Sequence, residues 1–232
     1  MNRALVPLMH HTVRQFKHDS VLATDGPAGR VVDLYFDDQD WKVRHLVIDA
    51  GGWFTPRLVL LPPESVDTDA SGEGLLRLRL ARRQVNEAPD ADSARPVFRQ
   101  AQIAQAVRFG YPYYWSGLAL WAGIGAGRSR ADAERAAHAE LARGDPHLRS
   151  GAALIGCRVE ARDGVLGEVH DFVVDEQAWT VSAVVLETRK WLPGGKVRIA
   201  PRSIERIDWS ERRIVTRTER RGGRARHRAQ RA

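Results

Sequence analysis

Acidic side chains are the residues of this chain best placed to do chemistry. Asp37, Asp38 and Asp40 crowd one short segment, and Asp175 and Glu176 stand together further on. Clustered carboxylates suggest a hard cation. Calcium, however, needs six or more oxygens held in a defined loop, and this spacing lacks the EF-hand glycine and its distal glutamate. Aspartate is also a favoured turn residue, because its side chain accepts nearby backbone N–H groups. The turn reading is the stronger one. Asp33 and Asp171 occupy matching places in mid-strand segments. A carboxylate pair could do acid–base work, but no second carboxylate or histidine recurs beside both. An aspartate that binds the backbone N–H groups of a neighbouring turn is the better reading.

The other reactive side chains are scattered. His10, His11, His18, His45, His138, His147, His170 and His227 form no metal-ligand spacing within an expected helix, and Cys157 is the only cysteine. One cysteine excludes an internal disulfide and any multi-cysteine metal site. Set among Leu154, Ile155 and Val159, it reads as a small buried apolar residue. Gly123-Ile-Gly-Ala-Gly127 lacks the Lys-Ser/Thr of a phosphate loop and the Gly-x-Gly-x-x-Gly register. The expectation is no catalytic, cofactor or metal site and no small-molecule substrate.

The elements that carry these residues occur twice. Asp25-Gly-Pro-Ala-Gly-Arg-Val-Val-Asp33 returns as Asp163-Gly-Val-Leu-Gly-Glu-Val-His-Asp171, 138 positions later. The offset holds without a gap from Asp25 to Val66, with fourteen identities in forty-two positions. Asp25, Gly26, Gly29, Asp33 and Trp41 match Asp163, Gly164, Gly167, Asp171 and Trp179. A repeat of this length predicts two copies of one small β fold. Units of about 70 residues are near the size where a lone core is marginal, so the copies are expected to pack on each other.

In the second copy the turns at Asp163-Gly164, Asp175–Ala178, Trp191–Gly195 and Trp209–Arg212 divide strands over Gly167–Val174, Trp179–Glu187, Lys196–Ala200, Ile204–Asp208 and Arg213–Thr218. The first copy follows the same plan and ends with Leu75–Leu80. One strand differs on its outer face. Lys196 and Arg198 stand where the first copy has Leu58 and Leu60. An apolar outer face implies a cover, from the central segment or from a partner, so Leu58 and Leu60 are a candidate partner-binding face.

Residues 1–87 and 151–218 are thus two units, joined by a connector over 88–150. The connector is expected to hold short helices at Val97–Phe109 and Arg130–Arg143. Between them, Tyr111–Gly127 carries no charge and has Tyr111, Tyr113, Tyr114, Trp115 and Trp121. It is shorter than the ~20 residues a membrane-spanning helix needs. It either packs between the units or lies at a membrane interface. No basic-then-apolar signal segment opens the chain.

The net charge of +7 is local. Seven arginines against Glu219 put +6 in residues 217–232. Arg220, Arg221, Arg224, Arg226, Arg228 and Arg231 could bind RNA or an anionic membrane surface through phosphate contacts. A disordered solubilising tail over 219–232 is the other reading.

The unit Asp-Gly-x-x-Gly-x-Val-x-Asp, an acidic hairpin loop, a Trp-led strand and a Trp-x-Pro-Gly-Gly-Lys turn before Val-x-Ile-x-Pro together resemble the PRC-barrel family. This is the β-barrel of the photosynthetic reaction-centre H subunit's cytoplasmic domain and of the ribosome maturation factor's C-terminal domain. The resemblance covers roughly 14–85 and 151–218 and is greatest to stand-alone bacterial proteins with two such barrels. It implies a mainly β chain with two small barrels in tandem and a partly helical connector. It also implies a non-enzymatic, cytoplasmic adaptor that docks a protein partner. An H-subunit-like accessory factor, peripheral at the inner face of the plasma membrane, and a ribosome- or RNA-associated factor are the rival expectations. The first copy departs from the pattern, with Phe54-Thr-Pro-Arg57 in place of the Pro-Gly-Gly-Lys turn.

Overall fold

The structure is a computed structural model and describes residues 10–51, 57–72, 74–91, 96, 145–188, 195–209 and 211–218. Its first unit runs β1 (His10–Thr12), α1 (Val13–Phe16), β2 (Ser20–Ala23), β3 (Gly26–Asp37), β4 (Val43–Asp49), β5 (Leu58–Leu61), β6 (Leu75–Arg77) and α2 (Arg82–Asn86). The second runs β7 (Leu148–Ser150), α3 (Gly151–Leu154), β8 (Arg158–Ala161), β9 (Gly164–Asp175), β10 (Thr180–Glu187), β11 (Lys196–Ile199), β12 (Ile204–Asp208) and β13 (Arg213–Thr216). The expected helices at Val97–Phe109 and Arg130–Arg143, the aromatic stretch Tyr111–Gly127 and the tail from 219 lie outside the described residues.

The chain is mainly β and forms two sheets. One follows the order β5-β4-β3-β2-β6 and the other β11-β10-β9-β8-β13-β12. Among the described residues no pairing joins β5 to β6 or β11 to β12, so each sheet is an open path of strands. In each unit one twelve-residue strand, β3 or β9, organises the rest. Its first half pairs with a four-residue strand, β2 or β8, through Gly26–Arg30 or Gly164–Glu168. Its length leaves the second half of that edge open.

That open edge is filled by the other unit. β1 pairs with β9, His11 opposite Val174 and Thr12 opposite Val173. β7 pairs with β3, Arg149 opposite Phe36 and Ser150 opposite Tyr35. These are the same places in the two copies, 138 residues apart. The short arm that opens each unit therefore belongs to the sheet of its neighbour. Leu148–Ser150, assigned by sequence to the connector, is the arm strand of the second unit.

The exchange gives the two units one core. Phe16, Leu34, Phe36, Leu46 and Ile48 join Leu154, Phe172, Val174, Val184 and Leu186 in a single buried cluster. Phe36 and Phe172 meet with ring centroids 5.4 Å apart. The arm helices α1 and α3 cross at equivalent positions, Val13 against Gly151, where an added Cβ would stand 3.2 Å from the Val13 methyls. The small residue permits the crossing. Sharing a core supplies the apolar burial that each small unit alone would lack.

Candidate functional site at the seam between the units

The seam is built from the residues that looked most like chemistry. Asp33 lies where the α3 arm crosses β3. Its Oδ1 accepts the N–H of Leu34 at 2.8 Å and that of Ala152 at 2.9 Å, while Oδ2 accepts the Ser150 hydroxyl. Asp171 does the same for the other arm, accepting the N–H of Phe172 at 2.9 Å and that of Arg14 at 3.2 Å. Each repeated aspartate thus holds the first turn of the other unit's arm helix. Burial raises the Asp33 pKa, against the pull of the Ser150 hydroxyl and the two N–H donors. Thr12 and Ser150 cap the same helices, accepting the N–H of Gln15 at 3.3 Å and of Ala153 at 3.0 Å.

A second layer of contacts clasps the arms. His11 Nδ1 bonds Glu176 Oε1, with side chains only 10% and 5% exposed. At the equivalent place Arg149 grips Asp38, with Nε 2.6 Å from Oδ2 and Nη2 on the same oxygen. His147 Nδ1 lies 2.9 Å from the other oxygen of Asp38. Asp19, 3% exposed, lies in the field of His11 and Glu176, and burial raises its pKa. Cys157 is its counterpart in the second unit, 1% exposed, with its thiol pKa also raised by burial. A buried, undissociated thiol is a poor nucleophile.

Trp41 and Trp179 close the seam. Both sit in the left-handed region, at φ 61° and 48°. That turns their carbonyls toward the other unit. Trp41 O accepts the Val181 N–H and Trp179 O accepts the Val43 N–H, each at 2.8 Å. Such a backbone costs a non-glycine residue about 1–2 kcal/mol. Packing of the rings offsets that cost, Trp41 on Phe36 at 5.4 Å and Trp179 on Phe16 at 5.9 Å.

Asp37, Asp40 and Asp175 serve the hairpin turns. Asp37 accepts the Gln39 N–H at 2.8 Å and Asp40 that of Lys42 at 3.0 Å, and Arg44 bridges both carboxylates at 3.0 and 2.9 Å. Burial works against the Asp37 carboxylate, but the Gln39 N–H and Arg44 together outweigh it and hold its pKa below the ordinary value. Asp175 accepts the N–H groups of Gln177 and Ala178 at 2.9 and 3.1 Å. Among the described residues no three His, Cys, Asp or Glu groups are placed to hold a metal. In the polar cleft beside Gly156, Arg213 spans Glu160 at 3.1 Å and Asp208 at 3.7 Å. No described helix is long and apolar enough to cross a membrane.

The repeated turn residues act on backbone. Asp25 accepts the Arg82 N–H at 2.7 Å. Gly26 and Gly164 have φ of 136° and 126°. At Gly29 an added Cβ would stand 2.1 Å from Asp49 O, and at Gly167, 2.2 Å from Glu187 O. No side chain fits either place. The Leu58/Leu60 face is covered within the chain. Leu60 is 4% exposed and packs in a small cluster with Tyr35, Val47, Ala91 and Leu148, with Leu58 half-buried beside it. Within the chain, the cover on Leu60 comes from Ala91 and Leu148, at the two ends of the connector region. The tail arginines Arg220, Arg221, Arg224, Arg226, Arg228 and Arg231 lie outside the described residues.

Sequence reading missed the arm contacts. Their only sequence signal is that the 138-residue offset continues outward, pairing Thr12 with Ser150 and His11 with Arg149 as like functions with unlike letters.

Two small β units that complete each other's sheets, and whose shared acidic residues bind backbone, define a structural interaction module. Residues 10–75 match the PRC-barrel domain family model, so the first unit is a PRC-barrel domain, arm included. The second unit repeats the order β5-β4-β3-β2-β6 as β11-β10-β9-β8-β13 and adds β12 beyond β13. A PRC-barrel domain points to an interaction or adaptor role in general. No curated protein matches the chain.

Proposed function

We propose that this chain is a non-enzymatic adaptor whose two PRC-barrel units dock a protein partner, with the arginine tail adding salt-sensitive attraction. One observation carries the reading. Asp33 and Asp171, a carboxylate pair shared by both copies in mid-strand, are engaged in holding the neighbouring unit's arm. The fold thus uses these repeated polar residues to join its two units. Its setting is the cytoplasm.

Photo-crosslinking of the full chain and of a chain ending at residue 218 tests the proposal. The same protein partner is expected on both, with capture by the shorter chain reduced severalfold at low salt and unchanged at high salt, since salt screens exposed charge. Loss of all capture with the tail would favour the RNA or membrane-surface readings instead. Substrate turnover that disappears in Asp33→Asn or Asp171→Asn would refute the adaptor reading.

A further inference from the structure

Among the described residues the two units differ at one sheet edge. β5 and β11 occupy the same place, Leu60 opposite Val47 on β4 and Arg198 opposite Val185 on β10. In the first unit the outer edge of β5 is taken. The Leu60 N–H donates to Pro89 O at 2.8 Å, and Val59 forms an antiparallel bridge with Asp90. Ala91 is buried against Leu60. A short extended segment, Ala-Pro-Asp-Ala, thus extends that sheet.

In the second unit no described segment pairs with the outer edge of β11, and Lys196 and Arg198 are exposed. An edge with free N–H and C=O groups is a template for one more strand. Resting on the adaptor reading, we infer that β11 is a docking edge that takes an extended acidic segment of a partner protein by strand addition.

The chemistry of the edge selects the occupant. Replacing Leu58 and Leu60 by Lys196 and Arg198 exchanges an apolar face for a basic one. Glu187 stands opposite Lys196 and offsets part of its charge, whereas Arg198 faces Val185 and has no acid across from it. Exposed Arg202 follows in the next turn. Carboxylates on the added strand would stand beside Arg198 as cross-strand neighbours, where opposite charges stabilise and like charges repel. The filled edge of the first unit already carries an aspartate, Asp90. The residues of this chain 138 positions after Pro89–Ala91 are His227, Arg228 and Ala229 in the arginine tail, and like charge disfavours them beside Arg198.

The test uses the full chain and two fluorescein-labelled decapeptides, one alternating Asp and Val and one alternating Lys and Val. The acidic peptide is expected to bind at least tenfold more tightly by anisotropy and to slow hydrogen exchange at the Arg198 amide. Arg198→Pro removes the outward N–H without breaking the ladder to β10, and should abolish binding. The double variant Lys196→Glu/Arg198→Glu keeps the backbone and should reverse the preference between the peptides. Equal binding of both peptides, no binding, or binding with the Arg198 amide unprotected overturns the proposal. So does acidic-peptide binding that appears only after deletion of 219–232, which would make the tail the occupant. A concentration-dependent dimer abolished by Arg198→Pro would make a second copy the occupant and overturns it equally. Should Arg198→Pro still crosslink to the same partner as the wild type, the adaptor reading survives and the edge assignment fails. Should the full chain crosslink to no protein, the adaptor reading itself fails, whatever the peptides do.

Discussion

The two arms cross the seam in the same geometry but are clasped by different chemistry. One is held by His11 on Glu176, the other by Arg149 on Asp38 with His147 alongside. Contacts to backbone are conserved between the copies letter for letter: Asp33 and Asp171 on arm N–H groups, Gly29 and Gly167 against carbonyls, Trp41 and Trp179 through their own carbonyls. Contacts between side chains have drifted. A backbone group offers one fixed donor or acceptor, so its partner has little choice. Two side chains need only complement each other and can change together.

The sharpest way to break this equivalence is at the glycines. Gly29→Ala and Gly167→Ala each push a Cβ into a carbonyl of the adjacent strand and should cost about 4 kcal/mol of unfolding free energy. Urea unfolding should give nearly equal losses. A cost under about 1 kcal/mol at either site would show that the two turns are not equivalent.

Next come the clasps. His11→Ala leaves Glu176 buried without its partner and should cost about 3 kcal/mol. Arg149→Ala leaves Asp38 with His147 still 2.9 Å away, so a smaller loss of about 2 kcal/mol is expected. Equal losses would mean that His147 contributes nothing to the second clasp.

The smallest effects concern the two aspartates. Asp33→Ala and Asp171→Ala strand buried N–H donors and should cost about 2 kcal/mol, and Asp33→Asn, which keeps one acceptor oxygen, about 1 kcal/mol. Their pH dependence separates Asp33 further. Its folded pKa is raised by burial, so its contribution is full below the unfolded carboxylate value. It falls as pH rises toward the folded value, where it levels off. The stability advantage of wild type over Asp33→Asn should therefore shrink across that window in urea titrations at stepped pH. Asp37 runs the other way: its lowered pKa means stability present at neutral pH and lost as pH falls through the folded value.

Much of the fold was legible because period and turn chemistry are local. β12 lies over Ile204–Asp208 as read, and the strand expected at Gly167–Val174 extends to Gly164–Asp175 because the glycine turn is itself paired. Asp33 and Asp171 were legible as backbone acceptors. Their donors were not, because Ala152 and Arg14 stand 119 and 157 residues away. The arm exchange was illegible for a deeper reason. His10–Thr12 would meet in its own β3 the places that it meets in β9, so the pattern of buried residues is the same for either pairing. The cover on Leu60 was read from two exposed-face leucines, with its source open between the central segment and a partner. Pro89–Ala91 and Leu148 carry no periodic signal of their own.

Reciprocal arms also set the order of assembly. His11 finds its seat against Val174 and Glu176, so the β1 arm waits for a segment synthesised more than 160 positions later. Contacts of such span are slow to form. The sheet of the first unit waits for β7, and β1 stays an orphan strand until β9 has been made.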